Sequence, residues 1–270
     1  MIRHIKKLRI FLDLNETLIR TGEISDILLK EEINDLINFR KLCDKIADSY
    51  EAFEIIFLTG NSFEYSRRIE EPLGIKNNKK ISFIIISENG LLSRSFSKGN
   101  LWMLATTKEY NKSISNFKKR LSSSKISYYT QGNEIRYTLK PSFNEFSKRD
   151  LLEVVNIANN CGLNTHAQIY THKFYIDIDP ISYIEQDIIY KFKGKYEAVN
   201  RILQSDNSFY NIAIGDSLSD IPMFEAIIEN NGKAFWVSNT SFNENFPKAI
   251  VLNSPFTKGV NELLGYYAKL

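Results

Sequence analysis

The sequence predicts an α/β protein: a parallel sheet with helical crossovers, interrupted by an inserted α+β segment. Three observations predict it. Short apolar runs such as Ile10-Phe11-Leu12, Ile55-Ile56-Phe57-Leu58 and Ile81 to Ile86 have the length and composition of buried parallel strands. Segments with apolar residues at helical spacing lie between them, so strand and helix alternate and right-handed crossovers are expected. From residue 91 to about 182 that alternation stops, and strands meet strands as in an antiparallel layer.

Composition fits this class and excludes others. A hydrophobic fraction of 43% is enough for a packed core, which rules out a disordered chain. The 270 residues allow one large domain or a core with an insertion. A formal charge of only +3, with both signs interspersed, offers no footprint for nucleic acid. The lysines from Lys76 to Lys80 and from Lys118 to Arg120 read as solvated surface. Cys43 and Cys161 lie far apart on predicted helices and read as free thiols in a reducing compartment. The charged N-terminus runs into a short apolar stretch that ends in Asp13 and Asn15, without the small-residue cleavage site of a signal peptide. No stretch approaches the ~20 apolar residues of a membrane span. The expectation is a soluble, cytoplasmic protein with no membrane or nucleic-acid partner.

Taken in order, the first strand is followed by an amphipathic helix, Ile33 to Ala47, with Ile33, Leu36, Ile37, Leu42 and Ile46 on one face. The second strand, Glu54 to Leu58, ends in Thr59-Gly60-Asn61-Ser62. A helix is expected from Ser62, closed by Pro72-Leu73-Gly74. Ser87-Glu88-Asn89-Gly90 closes the third strand. The insertion reads as a helix at Lys108 to Leu121 and strands at Ile126 to Tyr129 and Glu134 to Leu139 around Gln131-Gly132-Asn133. A helix at Lys148 to Asn160 and strands at Thr165 to Tyr170 and Phe174 to Ile178 complete it. The parallel pattern resumes with a helix from Lys195 to Gln204 and a strand from Asn211 to Ile214. Next come a helix from Ile221 to Ile228, strands at Ala234 to Val237 and Ile250 to Leu252, and a closing helix from Val260. The predicted division is a core of residues 1–90 and 183–270 with an inserted domain at 91–182.

Function is sought at the strand ends, because ligands of open α/β sheets gather at the carboxyl ends of their strands. The first strand ends in Asp13-x-Asn15-x-Thr17 and the second in Thr59-Gly60. Lys195 opens a helix, and the following strand ends in Gly215-Asp216-x-x-x-Asp220. Each signal alone has a bland explanation, such as a turn or a helix cap. In this order they resemble the motifs of the haloacid dehalogenase (HAD) superfamily of phosphohydrolases. The large insertion after the second motif is similar to the caps of the trehalose-phosphate, sucrose-phosphate and kanosamine-phosphate phosphatases. Ser87-Glu88-Asn89-Gly90, Asp177-Ile178-Asp179-Pro180 and Thr257-Lys258-Gly259-Val260 fit that branch. The implied fold is a Rossmann-like HAD core with an α+β cap domain. A phospho-accepting signalling receiver also has a strand-end Asp and a late Lys, but the insertion and the Gly-Asp-x-x-x-Asp motif argue against it.

The resemblance implies a Mg²⁺-dependent phosphomonoesterase acting on a sugar or aminosugar phosphate. Asp13 would be the nucleophile that forms an aspartyl-phosphate. Asp13, Asp216 and the backbone carbonyl of Asn15 would hold Mg²⁺, with Asp220 as a ligand or just behind one. Lys195 would neutralise charge and Thr59 would donate to a phosphoryl oxygen. Lys193, beside Gly194, competes for the lysine role; Lys195 is preferred because Ala198, Val199 and Leu203 then fall at the family spacing. Thr17, Gly60, Asn61, Asp177 and Ser219 are candidate substrate contacts, Ser219 standing where this branch often has Asn. Polar and aromatic cap residues, among them Tyr129, Arg136, His166, Gln168 and His172, suit a hydroxyl-rich ligand.

One departure matters most. Family phosphatases usually carry Asp at the position of Asn15, where it protonates the leaving oxygen and then activates water. An amide cannot exchange a proton at neutral pH, and losing acid/base help typically costs about 10²–10⁴ in rate. Asn15 is then an engineered trap, a natural residue whose work another group does, or the mark of a slow homologue kept for sugar-phosphate binding or regulation.

Overall fold

A computed structural model describes residues 6–19, 30–75, 80–95, 99–124, 126, 128–131, 137–141, 148–170, 173–180, 182–185, 188–238 and 246–269. In chain order the elements are β1 (Lys7–Leu12), α1 (Lys30–Ser49), β2 (Ala52–Leu58), α2 (Phe63–Ser66), β3 (Ile81–Ser87), β4 (Leu92–Ser95) and β5 (Gly99–Met103). They continue with β6 (Ala105–Thr106), α3 (Lys108–Ser122), β7 (Tyr128–Gln131), β8 (Tyr137–Pro141), α4 (Lys148–Asn159), β9 (Asn164–Tyr170), β10 (Lys173–Asp179), β11 (Ser182–Glu185) and β12 (Ile188–Lys191). The last are α5 (Lys195–Ser205), β13 (Tyr210–Gly215), α6 (Ile221–Glu229), β14 (Lys233–Val237), β15 (Ile250–Leu252) and α7 (Phe256–Tyr267). The chain divides into two compact units, Met1–Met103 with Gly194–Leu270, and Leu104–Lys193.

The first unit is built on an eight-stranded sheet of order β15-β14-β13-β1-β2-β3-β4-β5. Every pairing from β15 to β3 is parallel, and β4 and β5 are added antiparallel. Alternate side chains of the central strands enter different layers, as the two-residue strand period requires. Leu8, Ile10 and Leu12 pack with Leu36 and Phe39 of α1 and Val260 and Leu264 of α7. Phe11, Ile56 and Ala213 pack with Ala198 and Val199 of α5 and Phe224 and Ala226 of α6. Burial on both faces is why these strands read as unbroken apolar runs. The strand order reverses between β1 and β13, and a switch point of this kind opens a crevice at the carboxyl ends of the two strands.

The second unit holds a four-stranded antiparallel sheet, β7-β8-β10-β9, and a three-stranded one, β12-β11-β6. Tyr110, Phe117 and Leu121 of α3 and Val154 and Ala158 of α4 form one apolar layer with Ile176 and Ile178 of β10. The Tyr110 hydroxyl donates to the Ile178 carbonyl at 3.0 Å, so the buried phenol is satisfied.

The unit boundaries fall later than the sequence reading placed them, at 103/104 and 193/194 instead of 90/91 and 182/183. β4 and β5 hydrogen-bond onto β3 and lengthen the core sheet. β11 pairs with β6 and β12, which keeps 182–191 with the insertion. The helix expected from Ser62 is a single α-turn followed by a 3₁₀ turn at Arg67–Ile69. The closing helix begins at Phe256, one turn before Val260. Lys76 to Lys79, the Gly132-Asn133 turn, Arg136 and His172 lie outside the described residues. Cys43 and Cys161 are free thiols, Cys43 buried. No helix among the described residues is long and apolar enough to cross a membrane.

Phe11 is fully buried at the centre of the sheet. Phe11→Ala is expected to cost about 3–5 kcal/mol in chemical denaturation. Met103→Ala, on a side chain 60% exposed, is expected to stay within about 0.5 kcal/mol.

Candidate active site

The site starts from backbone register. β1 and β13 pair with Leu12 opposite Ile214, and the Asp13 N–H continues the ladder by donating to the Ile214 carbonyl at 2.9 Å. Asp13 and Asp216 therefore leave adjacent strand ends side by side. Beyond β13 the chain tightens into a 3₁₀ turn, Leu218–Asp220, closed by a capping box between Ser217 and Asp220. The N–H groups of Asp216 and Ser217 and the Ser217 hydroxyl each donate to Asp220 Oδ2 at 3.1 Å. Gly215 makes room for this, since a Cβ there would lie 2.6 Å from the Asp220 carboxylate.

The loop after β1 turns back on itself. Leu18 and Ile19 donate to the Leu14 carbonyl at 2.9 and 2.8 Å, and Glu16, with φ of 59°, donates to Ile19 at 2.7 Å. The turn delivers the Thr17 hydroxyl to Asp216 Oδ1 at 2.6 Å. The buried Thr257 hydroxyl, at the start of α7, donates to the Leu18 carbonyl and ties the loop to that helix. On the other side of β1, Thr59 follows β2. Its N–H bonds to Ile86 at 2.9 Å and its carbonyl accepts from Asn89 at 3.0 Å. The Thr59 hydroxyl accepts from the Asn61 N–H at 3.2 Å, which leaves its own proton to donate.

Lys195 opens α5 behind Gly194 (φ 58°). A Cβ on Gly90 (φ +110°) would sit 2.8 Å from the Ala198 Cβ, so only glycine lets α5 come this close. The result is a buried ammonium 2.6 Å from Asp13 Oδ1 and 2.6 Å from Asp220 Oδ1. Lys193, the alternative lysine, is exposed.

Charges are unequal in this cluster. Burial alone would lower the Lys195 ammonium, but Asp13 and Asp220 more than reverse that and hold it above its usual range. Asp13 has one ammonium set against further carboxylates. Burial and the Asp220 charge push its carboxyl up to about 7, against the pull of Lys195 and of a backbone N–H. Burial, then Asp220 and Asp13, raise Asp216 well above the carboxylate range, with the Thr17 hydroxyl pulling the other way.

The structure thus joins Asp13, Thr17, Lys195, Asp216 and Asp220 into one hydrogen-bonded cluster. Asn15 lies on the same loop, and its Oδ1 is buried without a hydrogen-bond partner. Thr59, Gly60 and Asn61 sit at the neighbouring strand end. Ser219 is exposed, with its hydroxyl 2.8 Å from that of Ser217. Asp177 belongs to β10 of the other unit, and its side chain lies outside the described residues. The Thr17 hydroxyl, a candidate substrate contact in the sequence, donates its proton to Asp216. The positioning roles of Ser217, Gly90 and Thr257 were missed. Ser217 was the readable one, because Ser-x-x-Asp at a helix start is a capping-box signature.

A divalent cation fits these residues. One oxygen from each of Asp13, Asp216 and Asp220 lies within 4.8 Å of the others, and hard cations of the Mg²⁺ type take such oxygens. Asp220 Oδ1 accepts from Lys195, and Asp220 Oδ2 already accepts three hydrogen bonds from its own turn. Asp13 and Asp216 are therefore the better direct ligands, with Asp220 holding their surroundings.

The chain has the fold of the haloacid dehalogenase-like phosphatases. It matches the C-terminal domain of trehalose-6-phosphate phosphatase from C. albicans at 15% identity and TM-score 0.66, over 98% of this chain and 93% of that one. It matches the sucrose-phosphatase of Synechocystis sp. PCC6803, solved with sucrose and phosphate, at 12% identity and TM-score 0.60, over 97% and 98%. The C-terminal domain of the Candida albicans trehalose synthase regulatory protein is also similar, at 13% identity and TM-score 0.62, over 98% and 94%. Neither a protein-family profile nor a curated protein matches the sequence.

Raised carboxyls make the cation effect depend on pH. A carboxyl raised in the folded state favours folding fully below its unfolded value of about 4 and loses that contribution as pH climbs through about 7. Added Mg²⁺ or Mn²⁺ is therefore expected to raise Tm more at pH 8 than at pH 5.5 in a thermal-shift titration. Asp216→Asn should remove most of that gain.

Proposed function

We propose that this chain is a Mg²⁺-dependent phosphoryl-transfer enzyme of the phosphomonoesterase type, acting on a sugar phosphate through Asp13. The observation that carries the reading is the convergence of Asp13, Asp216 and Asp220 within 4.8 Å of one another at the switch point of a parallel sheet, two of them bonded to a buried lysine. Carboxyls perturbed by burial and by a specific charge partner cluster at functional sites. The sugar-phosphate class is drawn from the trehalose-phosphate and sucrose phosphatases that share the fold. The inserted unit is taken to be the substrate-selecting cap domain.

Positioning and charge neutralisation dominate phosphoryl transfer. Asp13 would attack phosphorus and carry the phosphoryl group as an aspartyl-phosphate, which water then releases. Lys195 holds Asp13 in place and offsets charge on the phosphoryl oxygens, and the Thr59 hydroxyl donates to one of them. Asp216 is oriented by Thr17, and Asp220 keeps the ammonium and the turn together. Mg²⁺, held by Asp13, Asp216 and the Asn15 carbonyl, would supply a positive charge against the phosphate dianion. Asn15 offers a hydrogen bond and no proton, so turnover of alkyl phosphates is slow.

A second reading is favoured by the same residue. Asn15 suits a homologue that binds a sugar phosphate for regulation, and one protein of this fold carries a regulatory name. Phosphate release from a panel of sugar phosphates, with and without Mg²⁺, decides between the two. Asn15→Asp is expected to raise turnover by about 10²-fold or more, and Asp13→Ala to abolish it. If Asn15→Asp gains nothing on a substrate that binds, the regulatory reading stands instead.

A further inference from the structure

The proposed reaction has a requirement that Asn15 does not meet. Breaking a phosphate ester of a sugar alcohol releases an alkoxide, which departs well only when a proton reaches it. Asn15 stands on the loop beside Asp13 and ends in an amide that gives and takes no proton. Its buried Oδ1 has no hydrogen-bond partner, so no described group relays a proton through it. The groups around Asp13 have other work. Lys195 bridges Asp13 and Asp220 at 2.6 Å to each, Asp220 Oδ2 closes its own turn, and Asp216 Oδ1 takes the Thr17 hydroxyl. Glu16 is the neighbouring carboxylate on the same loop and is the rival to be tested.

We propose that Asn15 sets the donor class: this chain takes phosphoryl groups from acyl phosphates, whose leaving groups depart unprotonated, and stores them on Asp13. The inference rests on the reading of Asp13 as the phosphoryl acceptor. Its first step balances without an acid. An Asp13 carboxylate oxygen bonds to phosphorus and the bond from phosphorus to the bridging oxygen breaks. That oxygen leaves with the electron pair as a carboxylate, an anion stable at neutral pH because its acid ionises near pH 4. The second step does need help. A water oxygen bonds to phosphorus, the bond to Asp13 breaks, orthophosphate leaves, and the water proton must go to solvent because Asn15 cannot take it. Formation is therefore free of the penalty that slows removal, and the phosphorylated protein accumulates.

The experiment offers acetyl phosphate or glucose 6-phosphate, with Mg²⁺, to the natural chain and to Asn15→Asp. Quenched intact-protein mass and orthophosphate release are followed over time. The natural chain is expected to gain one phosphoryl group from acetyl phosphate at least about 10²-fold faster than from glucose 6-phosphate. The adduct should outlive that on Asn15→Asp by about 10²-fold, and the donor preference should narrow at least about tenfold in that variant. Asp13→Asn should stay unmodified. Equal use of both donors by the natural chain, or equal adduct lifetimes in the two proteins, overturns the inference and leaves Asp13 as acceptor. So does efficient use of glucose 6-phosphate that disappears in Glu16→Gln, because Glu16 is then the acid. Failure of both proteins with both donors overturns the inference together with the reading beneath it.

Discussion

Carboxylates brought within 4.8 Å of one another repel, and burial strengthens the repulsion by removing the water that would screen it. The fold holds Asp13, Asp216 and Asp220 in that arrangement by fixing backbone first. Parallel register between β1 and β13 places two of them at adjacent strand ends, and the capping box after Gly215 fixes the third. Lys195 then enters from α5 and bonds to two of the three. Both flanking loops are tied by hydrogen bonds, which leaves the carboxylates little freedom to move apart.

Stability does not explain such a cluster. Buried ion pairs contribute little net energy against well-packed apolar residues, whereas removing one partner is strongly destabilising. Here burial, together with carboxylates that the one ammonium does not balance, pushes Asp13 up to about 7 and raises Asp216 as well. A fold that retains this arrangement at the switch point of its sheet is prepared for a positive ligand there. The glycines at 90 and 215 point the same way, because each is required by a close approach that serves the cluster.

The sequence made some of this legible and hid the rest for physical reasons. β1, β2, β3 and β13 are buried on both faces, so Ile10-Phe11-Leu12 and its counterparts stand out as apolar runs. β4, with Leu92-Ser93-Arg94-Ser95, is an addition near the sheet edge and carries no comparable signal, which is why the core extends further than expected. Asp13, Asp216 and Lys195 stood out in the sequence because they follow strand ends or open a helix, and the fold brings them together. The work of Thr17 did not, because its bond to Asp216 spans 199 positions of the chain and no local pattern encodes it. Lys193 and Lys195 looked alike in sequence and differ completely in burial, a difference set by how α5 packs against Gly90.

Asn15 links the candidate site to the question of what the chain does. In the proposed reading, metal binding and phosphoryl acceptance rest on Asp13 and Asp216, which lie side by side at the strand ends, and Asn15 stands where that reading calls for a proton donor. The proposed slow enzyme and the proposed stored phosphoryl group share one prerequisite, a divalent cation seated between the two strand ends, where three carboxylates could hold it. The most direct test is the anomalous signal from crystals grown with Mn²⁺. A peak within coordination distance of the Asp13 and Asp216 carboxylates is the expected result, and a saturated crystal with no ion between them would contradict a shared cation.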